Sequence, residues 1–231
     1  MFKNLFGGNK EDKQLKAKME NVALALANKD YKAVISEGES ILEQVSDNKK
    51  PNIISMLALA YFHTKDYDMA IPHFLKMSEV ENKNPDYLYN LCTAHVLNKQ
   101  PEQGLEYLEK AIVLYQEKGK KENIPVSFMI FYAISALVET EEFNHAFDLM
   151  DRLAKIYKDI SITDSQFLYS RGFVPFHTFM EKIKDTLIGQ DKVDAIEWLT
   201  DFAEPLDEDG QAQVEELIED LKSEQETEAV D

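Results

Sequence analysis

One cysteine, eight glycines and seven prolines in 231 residues give this chain little with which to build disulfides or a turn-rich fold. Cys92 has no partner for an internal disulfide, and that usage fits the reducing cytosol. Period-2 runs rich in Val, Ile and Thr are missing, which removes the raw material of sheets. No apolar run reaches the roughly 18 residues that a membrane span requires. The most apolar piece, Ile124 to Val138, carries Ser127 and Ser135 and is flanked by Glu residues. The opening MFKNLFGG turns polar too quickly for a secretory signal, and Phe2, Leu5 and Phe6 have too few cations beside them for firm membrane attachment. Residues 1–14 are therefore expected to be a flexible lead-in, and the protein cytoplasmic.

What is present is an ordinary globular share of apolar residues, 44%, and an acidic balance of −18. That balance is local. From Asp191 to Asp231 there are 16 acidic residues against Lys192 and Lys222, or −14, whereas the other 190 residues carry only −4. A field of this sign repels phosphates and attracts basic proteins, so nucleic acid is not an expected partner.

Four short elements recur: Asn28-Lys-Asp-Tyr31, Thr64-Lys-Asp-Tyr67, Asn98-Lys-Gln-Pro101 and Thr140-Glu-Glu-Phe143, with last residues 36, 34 and 42 apart. Each sits between two stretches of helical periodicity and reads as the elbow of a helix hairpin. Before the elbows, Ile54, Leu57, Ala58 and Tyr61, then Leu88, Leu91, Cys92 and His95, then Ile130, Ala133, Ile134 and Leu137 are spaced i, i+3, i+4, i+7, which places each set on one helix face. After them, Ala70 with Phe74, Gly104 with Leu108 and Ala146 with Met150 pair a small residue with a large one four positions on, a pattern that lets two helices approach closely.

The hydrophobic, small, aromatic order ending in DYDMAI, in the 34-residue unit from Pro51 to Asn84, resembles the tetratricopeptide repeat (TPR) family. The resemblance extends to repeats at about 15–48, 85–118 and 127–160, with departures at Asn21, where an apolar residue is usual, and Gly38, where a large one is. The glycine common at the elbow is replaced by Lys29, Lys65, Lys99 and Glu141. The fold implied is all-α, a TPR-like helix-hairpin solenoid with a C-terminal helical extension. Extra residues around Gly119 to Pro125 should disturb the stacking of the third and fourth hairpins. Residues 161–222 read as an extension that closes the open end, with Asp164, Pro175 and Asp191 each starting a helix and a last helix from about Gly210 to Lys222; an acidic, disordered tail is expected over 223–231.

Clusters that look chemical read as structure. His63 and His73 are separated by an elbow and lack ligand spacing, while Asp66 and Asp68 stand where a helix begins and carboxylates cap free N–H groups. Cys92 and His95 share the hairpin-facing stripe and have no second Cys/His pair. Asp207, Asp209, Gly210 and Glu216 imitate part of a calcium loop, but Pro205 occupies its first ligand place. No phosphate loop, nucleophile elbow or CxxC pair occurs, so no catalytic residue, metal or cofactor is expected.

In an array resembling TPRs, the outward faces of the first helices line a concave groove that holds a peptide or helix. Here they offer Ser55, Leu59, Phe62 and His63, then Tyr89, Thr93 and Val96, then Phe128, Phe131 and Ser135, a row rich in aromatic anchors. Packing between neighbouring repeats, or against the C-terminal hairpin folded into the groove, would use the same side chains. TPRs that clamp an acidic peptide end carry basic residues in this groove; Leu59 and Val96, with Asn90 nearby, do not provide them. The expected function is thus non-enzymatic binding of a protein partner through the groove, through an acidic surface of Asp201, Glu204, Asp207, Glu208, Asp209, Glu215, Glu216 and Glu219, or through both. Neutralisation of a basic partner, in the manner of an antitoxin, immunity protein or secretion chaperone, would suit that charge. A structural subunit of a larger assembly, or an enzyme with an unmarked carboxylate site, is the alternative.

Overall fold

A computed structural model describes residues 10–228 apart from Gly189, with side chains over 13–223. Helices α1 (Lys10–Ala27) and α2 (Tyr31–Leu42) make the first hairpin, α3 (Lys50–His63) and α4 (Tyr67–Val80) the second, α5 (Pro85–Leu97) and α6 (Pro101–Lys118) the third, and α7 (Val126–Glu139) and α8 (Phe143–Ile160) the fourth. All the elbows fall on the recurring tetrapeptides. At each, the helix end closes in the same way: Lys65 N–H reaches Phe62 O and Asp66 N–H reaches Tyr61 O, with equivalent pairs at Lys29, Lys99 and Glu141. This Schellman geometry needs a left-handed residue just past the helix end. Lys29, Lys65, Lys99 and Glu141 take that conformation, with φ of 59°, 62°, 61° and 64°. The missing elbow glycine therefore leaves the turn shape intact, at the cost of four strained side-chain-bearing residues. Asp30 and Asp66 cap the helices that follow by accepting from Ala33 N–H (3.2 Å) and Met69 N–H (3.4 Å).

The small and large residues after the elbows close each hairpin. Ala70, Phe74, Leu108, Ala146 and Met150 are all buried. A Cβ on Gly104 would lie 2.6 Å from Val96 Cγ2 and 2.8 Å from the Cys92 carbonyl, so only glycine allows α5 and α6 to meet as they do. Gly38, the departure in the first repeat, gives its space to Leu57 of the next hairpin, whose Cδ2 would stand 2.9 Å from a Cβ there.

Hairpins stack by α2 on α3 and α4 on α5, but α6 makes much less contact with α7. The loop between them is the reason. Asn123 and Ile124 are tied back to the start of α5, where Asp86 accepts from Ile124 N–H (3.0 Å) and Asn123 Nδ2 (3.1 Å), and α7 settles against α5 instead. The expected disturbance of stacking is present at that place.

Past α8 come α9 (Ser165–Ser170), α10 (Phe176–Leu187), α11 (Lys192–Ala203) and α12 (Glu208–Glu228). Asp164 and Asp191 cap α9 and α11, and Pro175 precedes α10, at the residues expected from sequence. Helix α10 packs on α7 and α8, and Trp198 of α11 donates to Asp151 of α8 (3.0 Å). Buried Tyr157, Phe176, Phe179 and Phe202 form the joint, with Tyr157 stacked on Phe179 at 4.7 Å and donating its hydroxyl to Val174 O at 2.7 Å. The extension thus packs on the last hairpin as a further hairpin would, and among the described residues it makes no substantial contact with α3 or α5.

Two boundaries differ from the sequence reading. Residues 10–14 are helical, being the start of α1, whereas residues 1–9, with Phe2, Leu5 and Phe6, lie outside the described residues. Helix α12 continues through 223–228, where a disordered tail was expected, because Ser, Glu and Gln there include no breaker; the last three residues lie outside the described residues. Among the described residues no helix is long and apolar enough to cross a membrane.

Candidate functional site

Helices α3, α5 and α7 line one face of the array, and they divide the expected groove residues into floor and walls. The α5 set has gone inside: Val96 is fully buried beneath Gly104, and Tyr89 and Thr93 are only 8% and 5% exposed. Thr93 turns its hydroxyl back to the Asn90 carbonyl at 3.1 Å. Val96 is therefore core rather than groove. Two neighbours are the cause: Gly104 of α6 covers Val96, and Tyr132 of α7 meets Tyr89, so a stripe that helical spacing alone leaves open is closed.

The walls remain accessible. Phe62, Leu97 and Ser135 are half-buried and, with Tyr89, Thr93, Tyr132, Ala136 and Glu139, line a cleft of about 200 Å³. Across its mouth at the elbow end, Lys65 donates to Glu139 at 3.0 Å, joining the second and fourth hairpins. Tyr132, 45% exposed, forms the opposite lip and touches the rings of Tyr89, Phe128 and Phe131 at 6.4, 6.2 and 5.6 Å. The sequence reading omitted it, although it stands four residues after Phe128 and three before Ser135, on the same face.

Other expected groove residues are engaged elsewhere. Ser55 shares a 3.3 Å hydrogen bond with Tyr87 and ties α3 to α5. Leu59 packs on the N-terminal core. His63 stacks on Tyr31 of the preceding hairpin at 4.6 Å, and burial there together with nearby Lys29 lowers its pKa, favouring the neutral ring. Phe131 is half-buried beside Tyr132 without lining the cleft.

The groups that imitate chemistry are occupied by packing. Burial pushes the Cys92 thiol up to about 12, with a smaller contribution from Glu109, so almost no thiolate exists near neutrality. His95 is 5% exposed, bonds through Nδ1 to the Gln100 amide at 2.7 Å and stacks on Tyr107 at 5.3 Å. His73 bonds to the Met69 carbonyl at 2.8 Å. Asp207 accepts from Thr163 N–H (2.9 Å), Thr163 Oγ1 (2.5 Å) and Gly210 N–H (3.0 Å), which makes it a brace between the α8–α9 connection and α12. It is therefore not a free member of the acidic surface. Asp201, Glu204, Glu208, Asp209, Glu215, Glu216 and Glu219 are exposed on α11, α12 and their connection. Among the described residues no three His, Cys, Asp or Glu side chains converge as metal ligands.

A hairpin solenoid of helices with an aromatic cleft on one face and an acidic end is the class that this fold and surface define. No protein-family model matches the chain, and no curated protein matches it. Among solved structures, the crystal structure of BtubC (BKLC) from P. vanneervenii aligns over 96% of this chain and 93% of that one, at 13% identity and a TM-score of 0.34.

Proposed function

We propose that this chain is a TPR-like, non-catalytic binding protein that holds a segment of a protein partner in the cleft between α3, α5 and α7. The observation that carries the reading is the cleft itself, where Phe62, Leu97 and the exposed Tyr132 offer apolar area beside Ser135 and Glu139. Four elbows of one geometry, at near-regular spacing, support the likeness to TPRs. Rigid aromatic side chains on helices present contact area at low entropic cost, which suits them as anchors.

The test is photo-crosslinking from position 132, with position 110 on another face as control, followed by titration of the captured partner. Tyr132→Ser and Ser135→Arg should each weaken binding at least about tenfold with helical circular dichroism unchanged, since loss of one anchor is worth about 1.4 kcal/mol or more. Unchanged affinity in both variants would remove the groove from the mechanism.

A second reading is favoured by the exposure of the acidic side chains on α11 and α12. They suit neutralisation of a basic partner, of the antitoxin, immunity or secretion-chaperone kind, with an association rate that falls as salt rises. With the same captured partner, Glu215→Lys, Glu216→Lys and Glu219→Lys together should slow association and flatten its salt dependence. If they leave both unchanged, the acidic end serves only solubility.

A further inference from the structure

A larger cleft, about 810 Å³, opens at the other end of α7, and none of the repeated elbows contributes to it. Its walls are Tyr115 of α6, the 121–125 loop, the first two turns of α7, and the end of α9 with the Arg171 and Gly172 that follow it. Phe128, Tyr132 and Tyr169 make an aromatic side, with Phe128 and Tyr169 edge to face at 6.5 Å. Tyr169 is 68% exposed. Ser127 Oγ donates to Gly172 O at 2.6 Å, and Gly172, at φ 80°, lies against Pro125, so the 169–172 segment is fastened to the start of α7.

The charge at the rim is opposite to that of the molecule. Lys121 and Arg171 line the cleft, and among the described residues neither is paired with a carboxylate. Arg171 is one of two arginines in a chain of net charge −18; the other, Arg152, is held by Glu109. The guanidinium of Arg171 sits 4.4 Å over the Phe167 ring, which fixes it without neutralising it. The only carboxylate in the lining, Glu122, faces Lys120 at 3.9 Å. Helix α7 also begins here with no side-chain cap, and its positive end adds to the local field.

We propose that this cleft docks a protein segment that carries carboxylates beside an aromatic or large aliphatic side chain. The apolar side chain lies on Phe128, Tyr132 and Tyr169, and the carboxylates meet Arg171 and Lys121. A short peptide fits better than nucleic acid. Over a Debye length of about 8 Å at physiological salt, a short segment feels mainly the two local cations, whereas a long polyanion also meets the acidic remainder of the chain. This site is separate from the α3–α5–α7 groove, although Tyr132 borders both.

The probe is a fluorescein-labelled peptide, Gly-Ser-Glu-Phe-Asp-Gly-Ser, titrated with the full chain by anisotropy. Its companions replace both acids by lysine or the phenylalanine by alanine, and a ten-nucleotide oligothymidylate reports on nucleic acid. Saturable binding of the acidic aromatic peptide is expected below about 1 mM, weakened at least about tenfold by either replacement and by Arg171→Glu with Lys121→Glu or by Tyr169→Ala. These side chains are exposed, and an unchanged amide spectrum checks the fold. Ser135→Arg, which blocks the groove, should leave the probe bound; loss of binding there would reassign the site to the groove and overturn the proposal. No saturable binding, equal binding by the charge-reversed variant, or preference for the oligothymidylate would each overturn it as well.

Discussion

Gly104 shows how much of this architecture rests on single atoms. Glycine inside a helix is about 1 kcal/mol less favourable than alanine, so a substitution that merely improved propensity would stabilise α6. Here the added methyl would meet Val96 Cγ2 at 2.6 Å and the Cys92 carbonyl at 2.8 Å. A side chain could rotate away, but the carbonyl belongs to the backbone of α5 and can move only with its helix. Overpacking of this kind costs about 1–3 kcal/mol, more than the propensity gain. Gly104→Ala is therefore predicted to lower the urea midpoint despite its better helix propensity. A raised midpoint would mean that α5 and α6 can separate without loss, contrary to the packing described. The elbow lysines carry a related lesson: Lys29, Lys65 and Lys99 occupy left-handed backbone that glycine would accept more readily, yet the turn forms because the bonds back to the helix end specify it.

At the scale of elements, α12 depends on one carboxylate. Burial alone would raise the pKa of Asp207, but hydrogen bonds from Thr163 and Gly210 outweigh it and hold the group below its ordinary 3.8. A carboxyl with a depressed folded pKa adds stability that is present above the unfolded value and is lost as pH falls through the folded one. Asp207→Asn should remove part of that brace, lowering the melting temperature near neutrality by about 2–4 °C, as loss of roughly 1 kcal/mol implies in a domain of this size. It should also flatten the decline in stability below about pH 4. An acid profile identical to that of the parent chain would show that Asp207 does not couple α12 to protonation. The elements themselves were legible in the sequence, because periodicity, caps and elbow tetrapeptides are local signals that survive in one dimension. The groove was legible only in part. Spacing put Phe62, Tyr89, Val96 and Ser135 on helix faces, but which face a neighbouring hairpin covers depends on how α7 settles against α5. That contact covered Tyr89 and left Tyr132 on the lip, while Val96 turned inward against Gly104 of α6. The second cleft was hidden because Tyr169 and Arg171 are far in sequence from Lys121 and meet it only after α10 docks on α7.

Across the described residues, the array contains two cores whose buried side chains meet in one helix, with Tyr107 of α6 packed against both. Val22, Ile41, Ile53, Leu57 and Phe74 belong to the N-terminal cluster, and Met129, Met150, Tyr157, Phe179 and Phe202 to the C-terminal one. Helix α5 joins them, giving Leu91 and Ala94 to the first and Cys92 and Val96 to the second. In a stacked array, stability is close to a sum of unit and neighbour terms, so a thin junction localises the effect of damage. The sparse contact between α6 and α7 makes this junction thin on one side. Leu57 is fully buried, and Leu57→Ala should cost about 2–5 kcal/mol through lost burial and the cavity left behind. The consequence to measure is where that cost appears. In native-state hydrogen exchange, the amides of α1–α4 should lose protection, while those of α7, α8 and α10, closed off by the aromatic joint around Tyr157 and Phe179, keep theirs. A uniform loss across all these helices would mean that α5 transmits the full perturbation and that the chain unfolds as one unit. The predicted split would leave the far cleft, with Tyr169 and Arg171, on the stable half, and place the Phe62 wall of the groove on the half that opens first.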